Sequence, residues 1–108
     1  MKQDMTDKYS GDLDIQDMTE KLGNFLSKCS DVILVFLFGS FARGKATALS
    51  DLDIAILFYN TPDFYRINDL REKLSEVLNI PVDIVVLNNA APVIKMQVLK
   101  KGILLVNK

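Results

Sequence analysis

Asp51 and Asp53 stand two residues apart in Ser50-Asp-Leu-Asp-Ile-Ala-Ile-Leu57, a stretch that alternates as a strand does. Side chains two apart on a strand project to the same side, so both carboxylates face one volume. Held that close, they repel, and each raises the other's pKa unless a cation lies between them. Oxygen ligands with open positions suit magnesium, which also binds substrate phosphates. A third acid, Asp83, begins Val82-Asp-Ile-Val-Val-Leu87. If that strand lies beside the first, three carboxylates form a cluster suited to two metal ions and in-line displacement at phosphorus.

Just before the paired acids runs Gly39-Ser-Phe-Ala-Arg-Gly44-Lys45. It matches the P-loop G-x-x-x-x-G-K-[ST] up to the last position, where Ala46 replaces the hydroxyl residue. A P-loop also runs straight into a long crossover helix, and the few residues between Lys45 and Ser50 leave no room for one. The P-loop reading fails on both counts. A different phosphate device remains. Gly39 ends an apolar strand, where the missing side chain lets a triphosphate approach backbone N–H groups, and Ser40 adds a hydroxyl donor. A short helix around Phe41–Lys45 would turn its positive end toward the same phosphates. Arg43 offers a fork of donors and Lys45 a point charge.

Composition narrows the chemistry further. The 108 residues suit one domain; 49% are hydrophobic and 25% charged, as in ordinary globular proteins. Thirteen basic and fourteen acidic residues leave a net charge of -1, so no general basic field holds long nucleic acid. Histidine is absent and Cys29 is alone, which removes His-ligated zinc, Cys cages, disulfides within the chain and histidine bases. Acid–base work falls to carboxylates, Lys, Tyr or Cys29. The polar N-terminal stretch is unlike a signal peptide, and the apolar run Val32–Phe38 is far shorter than a membrane span. A cytoplasmic protein without a membrane partner is the expectation.

The elements that must position these residues follow from periodicity. Residues 1–11 read as a flexible polar segment, and Leu13–Lys28 carries apolar residues at helical spacing. Val32–Phe38 and Asp51–Phe58 read as strands. Thr61-Pro62 reads as a capping hydroxyl with proline at the first helical position, opening a helix that Pro81 stops. Val82–Leu87 is a third strand, Pro92 opens a helix to about Lys101, and Gly102 leads into a last strand, Ile103–Val106. Alternating helices and strands predict an α/β (α+β) layer fold with a small mixed sheet.

Gly39, Ser40, Ala42, Arg43 and Gly44, then Ser50, Asp51, Asp53 and the distal Asp83, resemble the signature of the polymerase-β-type nucleotidyltransferases. The likeness is to their minimal form, the MNT domain, and extends loosely over about Asp31–Val106. The resemblance implies a nucleotidyltransferase domain over 12–108. It implies that Asp51, Asp53 and Asp83 hold Mg2+ (two ions, with Mn2+ as a substitute) and serve catalysis. It implies that Gly39 and Ser40, with Arg43, Lys45 and Ser50, bind ATP or another NTP, whose NMP passes to an acceptor. Many stand-alone MNT proteins are antitoxins paired with a HEPN-domain toxin, and some add AMP to a tyrosine of that toxin. The expected function is therefore adenylylation of a HEPN toxin. The competing readings are transfer to a small hydroxyl substrate such as an aminoglycoside, and a catalytically weak antitoxin that acts by contact alone.

Both faces of the predicted strands are apolar: Ala55, Leu57, Val85 and Leu87 on the acidic side, Leu52, Ile54, Ile56, Val82, Ile84 and Val86 on the other. Such strands need cover on both sides. Few helices are available, so a partner chain (a HEPN-type protein or a second copy, making a homo-oligomer) is expected on part of the remaining surface. Tyr59 and Tyr65 are assigned to packing rather than to stacking on a base.

Overall fold

In the computed structural model, residues 15–47 and 50–108 are described. The expected flexible segment 1–11 and a helix start at Leu13 lie outside them. Strand β1 (Val32–Phe38) is built of β-branched, aliphatic and aromatic residues that suit a fully paired central position. It pairs antiparallel with β2 (Leu52–Phe58) on one side and with β4 (Ile103–Asn107) on the other. Strand β3 (Val82–Val86) pairs parallel with β2, giving the order β3-β2-β1-β4. A parallel neighbour requires a crossover, and helix α2 (Phe64–Leu78) supplies it.

The two apolar faces receive different cover. Helix α1 (Ile15–Ser27) sets Met18, Leu22 and Leu26, and α2 sets Leu70 and Leu74, against Val35, Leu37, Leu52, Ile54 and Ile56. On the other face Phe36, Ala55 and Leu87 meet Val98 of α3 (Pro92–Lys101). All the buried side chains among the described residues are hydrophobic. The mixed sheet between helices is the architecture expected of the α/β pattern. None of the described helices is long and apolar enough to cross a membrane.

Five local expectations are corrected. Residues 39–44 form hydrogen-bonded turns, not a helix around Phe41–Lys45. Strand β2 begins at Leu52, so Asp51 sits just before it. The cap of α2 is Asp63, whose Oδ1 accepts the Arg66 N–H at 2.8 Å, and Thr61-Pro62 only leads up to it. Aspartate outcompetes the earlier threonine because its carboxylate reaches an otherwise unpaired amide of the first turn. Helix α2 ends on Asn79 in the left-handed conformation (φ 59°), whose N–H bonds Ser75 O at 2.7 Å, before Pro81 is reached. Strand β3 stops at Val86, one residue early, and Leu87–Asn89 makes a 3-10 turn. There the Asn88 amide takes the place of a paired backbone, accepting from Phe58 N at 2.9 Å and donating to Phe58 O at 2.8 Å.

One ion pair ties the sheet to α2. The Arg66 guanidinium donates from Nε and from an Nη to the two Asp31 carboxylate oxygens, each at 2.9 Å. These bonds hold the Asp31 carboxyl below its ordinary range, against an opposing effect of partial burial. A depressed carboxyl pKa contributes stability that is complete above the unfolded value and is lost as pH falls through the folded one. Asp31→Asn is expected to cost about 0.5–1 kcal/mol near neutral pH, as a partly exposed two-point pair does. The difference from wild type should shrink as pH falls through the lowered folded value of Asp31, where the carboxyl becomes protonated in the folded state as well. Urea melts at several pH values check this; a difference independent of pH would mean that the pair adds nothing.

Candidate active site

The β2–β3 register sets Asp53 directly beside Asp83, and continues with Ala55 beside Val85. Both acids belong to the sheet face covered farther along by α3. Asp53 is half-buried, whereas Asp51 and Asp83 are exposed. Burial pushes the Asp53 carboxyl up, the negative charges of Asp83 and Asp51 push it up further, and Arg43 opposes them. The charges of Asp51 and Asp83 thus both act on Asp53. Among the described residues no three acidic or cysteine side chains converge closely enough to chelate an ion as they stand.

Gly39 leaves β1 with φ +77°, a conformation that side chains disfavour. A Cβ there would collide with the Asp53 carboxylate. The glycine therefore does two jobs: it turns the chain, and it leaves room for the acid on the adjacent strand. After it the loop closes through Arg43 N to Gly39 O (3.1 Å), Gly44 N to Phe41 O (3.2 Å) and Lys45 N to Ser40 O (2.9 Å). Phe41 is buried in the core and anchors the loop. Gly44 also has positive φ, but a Cβ on it would meet nothing within 4 Å. Ser40 is half-buried at the start of this turn, and Lys45 is exposed. The Ser50 hydroxyl accepts the Thr47 N–H at 2.9 Å while Ser50 N donates to Thr47 O, so Ser50 closes the loop that delivers Asp51.

Beside Gly39 lies a cavity of about 200 Å³ lined by Phe38, Gly39, Arg43, Gln97 and Lys101. Arg43 was expected at a phosphate site; Gln97 and Lys101 were not. Nothing in their local sequence marks them, because their position depends on β4 pairing with β1 rather than on spacing. Tyr59 and Tyr65 are exposed, and the Tyr65 ring meets that of Phe64 edge to face at 6.0 Å.

The profile described as Polymerase beta, Nucleotidyltransferase matches residues 20–108. The chain belongs to this family. Among curated relatives, MJ0128 of Methanocaldococcus jannaschii, provisionally named a protein adenylyltransferase, is 38% identical over 68% of this chain and 74% of its own. The protein adenylyltransferase MntA of Shewanella oneidensis is 39% identical over 64% of this chain, and the match spans 50% of its own length. Among solved structures, a toxin–antitoxin with AMP-PNP superposes with a TM-score of 0.73 at 31% identity, covering 89% of this chain and 75% of that one. A tri-AMPylated Shewanella oneidensis HEPN toxin in complex with MNT antitoxin gives 0.72 at 30% identity, covering 87% and 73%. The fold of this nucleotidyltransferase is thus the one expected from the motif.

Enzymes of this family work with divalent metal ions. The donor set of this nucleotidyltransferase fits one: all oxygen, three negative charges, and an Asp53 carboxylate that burial and its neighbours destabilise until a cation arrives.

Two predictions test this geometry. A carboxyl whose pKa is raised on folding costs stability above the folded value, and the cost fades as pH falls below the unfolded one. Without metal, Asp53→Asn should therefore raise Tm by a few °C at neutral pH, the effect of roughly 0.5 kcal/mol in a domain of this size. The gain should disappear near pH 3, where wild-type Asp53 is protonated, and millimolar magnesium should stabilise wild type more than the variant. Thermal scans with and without chelator decide; a variant less stable than wild type in chelator contradicts it.

Gly39→Ala should displace the Asp53 carboxylate and strain the turn, lowering nucleotide transfer by about a hundredfold or more, in line with misplacement of reacting groups. Gly44→Ala meets strain but no neighbour and should cost about tenfold less in transfer than Gly39→Ala. Equal losses in the two variants, in transfer assays matched for folded protein, would assign Gly39 to turn geometry alone.

Proposed function

We propose that this nucleotidyltransferase moves AMP from ATP to a tyrosine hydroxyl of a HEPN-domain toxin and so acts as its antitoxin. The observation that carries the reading is Asp53 registered beside Asp83, with the Gly39–Ser40 turn packed against Asp53. Relatives named protein adenylyltransferases and a tri-AMPylated HEPN toxin bound to an MNT antitoxin support the choice of AMP and of a protein acceptor.

In this reading the Ser40 hydroxyl and the turn amides hold the triphosphate, with Arg43 alongside. Asp51, Asp53 and Asp83 would hold one or two magnesium ions, with manganese as a substitute. The bound metal supplies charge neutralisation at the triphosphate and a lowered pKa at the acceptor hydroxyl. The acceptor oxygen forms a bond to the α-phosphorus, the bond from phosphorus to the bridging oxygen breaks, and diphosphate leaves with the electron pair. In a chain without histidine, the hydroxyl proton passes to a carboxylate, and the reading gives that role to Asp83, exposed and registered beside Asp53.

The surface favours a protein acceptor over a small sugar. Val93, Met96 and Leu99 on α3 are 60%, 55% and 69% exposed, and Leu104 of β4 is exposed beside them. A bulky partner covers such a stripe while presenting a tyrosine; a sugar leaves it bare.

Asp83→Asn should bind ATP within about threefold of wild type and transfer AMP at least a hundredfold more slowly, the scale of a lost acid–base group. Intact-mass measurement of the co-expressed partner reads the outcome. Mass gain at the wild-type rate with the variant would remove Asp83 from the mechanism. A partner never modified by wild type would leave neutralisation by contact as the antitoxin activity.

A further inference from the structure

Helix α3 is placed by its tail. Residue Ile103 of β4 pairs with Leu37 and Leu104 with Phe36, so the residues just before Ile103 lie where β1 ends at Gly39. Gly102 makes the approach possible: a Cβ there would lie 2.5 Å from Val98 O and 3.3 Å from both Leu37 O and Phe36 Cβ. The last turn of α3 is thereby pressed onto the end of β1. Gln97 and Lys101, four apart and so on one helix face, line the Gly39 cavity opposite Arg43.

The chemistry of that lining is specific. It contains two cations, one amide and one aromatic ring, and no carboxylate. Neither Arg43 nor Lys101 forms a salt bridge among the described residues. Lysines in a last helical turn commonly answer the helix dipole, and Lys100 does that equally well. The dipole does not require Lys101 to line a cavity next to a phosphate-binding turn. At about 200 Å³ the cavity is smaller than one that encloses a whole ligand, and takes part of a nucleotide.

We propose that Lys101, with Gln97 and Arg43, forms the site of the leaving diphosphate. The inference rests on the nucleotide-transfer reading and assigns its other end: the α-phosphorus lies at the carboxylates, and the β- and γ-phosphates lie across Gly39 in the cationic cavity. When the bond to the α-phosphorus breaks, the electron pair and negative charge stay on the diphosphate, and Lys101 meets that charge where it grows. Lys101 is exposed, so its replacement leaves the core untouched.

The test is calorimetric titration of the whole chain with inorganic pyrophosphate, ATP and AMP, each in excess magnesium. Lys101→Ala should weaken pyrophosphate and ATP binding by about tenfold, the loss of one charge-assisted contact, and leave AMP binding unchanged. Lys101→Arg should restore most of the affinity, and Lys100→Ala should behave as wild type. Pyrophosphate binding equal in wild type and Lys101→Ala overturns the inference, as does an equal loss for ATP and AMP. Wild type that transfers AMP while Lys101→Ala keeps its pyrophosphate affinity overturns this site alone. Wild type that binds pyrophosphate through Lys101 but never modifies a partner overturns the transfer reading and leaves the site standing.

Discussion

The approach of the Gly39 backbone to the Asp53 carboxylate is the constraint around which the remaining structure is arranged. A side chain at residue 39 would occupy the space of the acid. The turn that can bind phosphate and the acid that can bind a cation therefore sit in contact, on adjacent antiparallel strands in which Phe38 pairs with Asp53. A phosphate placed against the turn lies at once beside the carboxylate, a juxtaposition that is repulsive unless a cation joins them. Burial adds to this cost at Asp53, and the packed sheet beneath it, with Leu52, Ile54 and Ile56 fully buried on the opposite face, holds the acid in place.

Charge is divided along this junction. Asp51, Asp53 and Asp83 gather at the start of β2 and β3, while Arg43 and Lys101 line the cavity beside Gly39, with Arg43 also acting on Asp53. In the proposed transfer a nucleotide triphosphate would use both environments: acids to hold a cation at the reacting phosphorus and fixed cations where the leaving charge collects. The overall charge of -1 conceals this separation. Long-range attraction contributes little in such a protein, and the site works through short contacts.

Cover of the sheet is unequal, and the inequality has functional meaning. The face away from the acids is closed by α1 and α2 and contains most of the core. Among the described residues the acidic face is covered by α3 and Leu87, with Val98 of α3 buried while Val93, Met96 and Leu99 are exposed. The sheet face expected to need a partner is therefore covered in part by α3, and the exposed apolar side chains lie on that helix instead.

Much of this was legible from residue order alone. Strong apolar runs defined β1 and β2, because strand-forming side chains act over a few neighbours. Proline at the start of α3 and glycine after it bounded that helix correctly, proline through local backbone geometry and glycine through the space it leaves against Val98 O and Leu37 O. The Gly-Ser turn could be read from its residues and the face of Asp53 from the period of two along β2, whereas Asp51 falls just before that strand. Local competition between similar signals was not legible: Asp63 displaced Thr61 as the cap, Asn88 ended β3 early, and turns replaced the expected helix after Gly39. The registration of Asp83 against Asp53 and the arrival of Lys101 at Gly39 were decided only in three dimensions. Each depends on which strands pair across a helix or a long separation in sequence, and that choice is made by packing of the whole sheet rather than by the residues on either side.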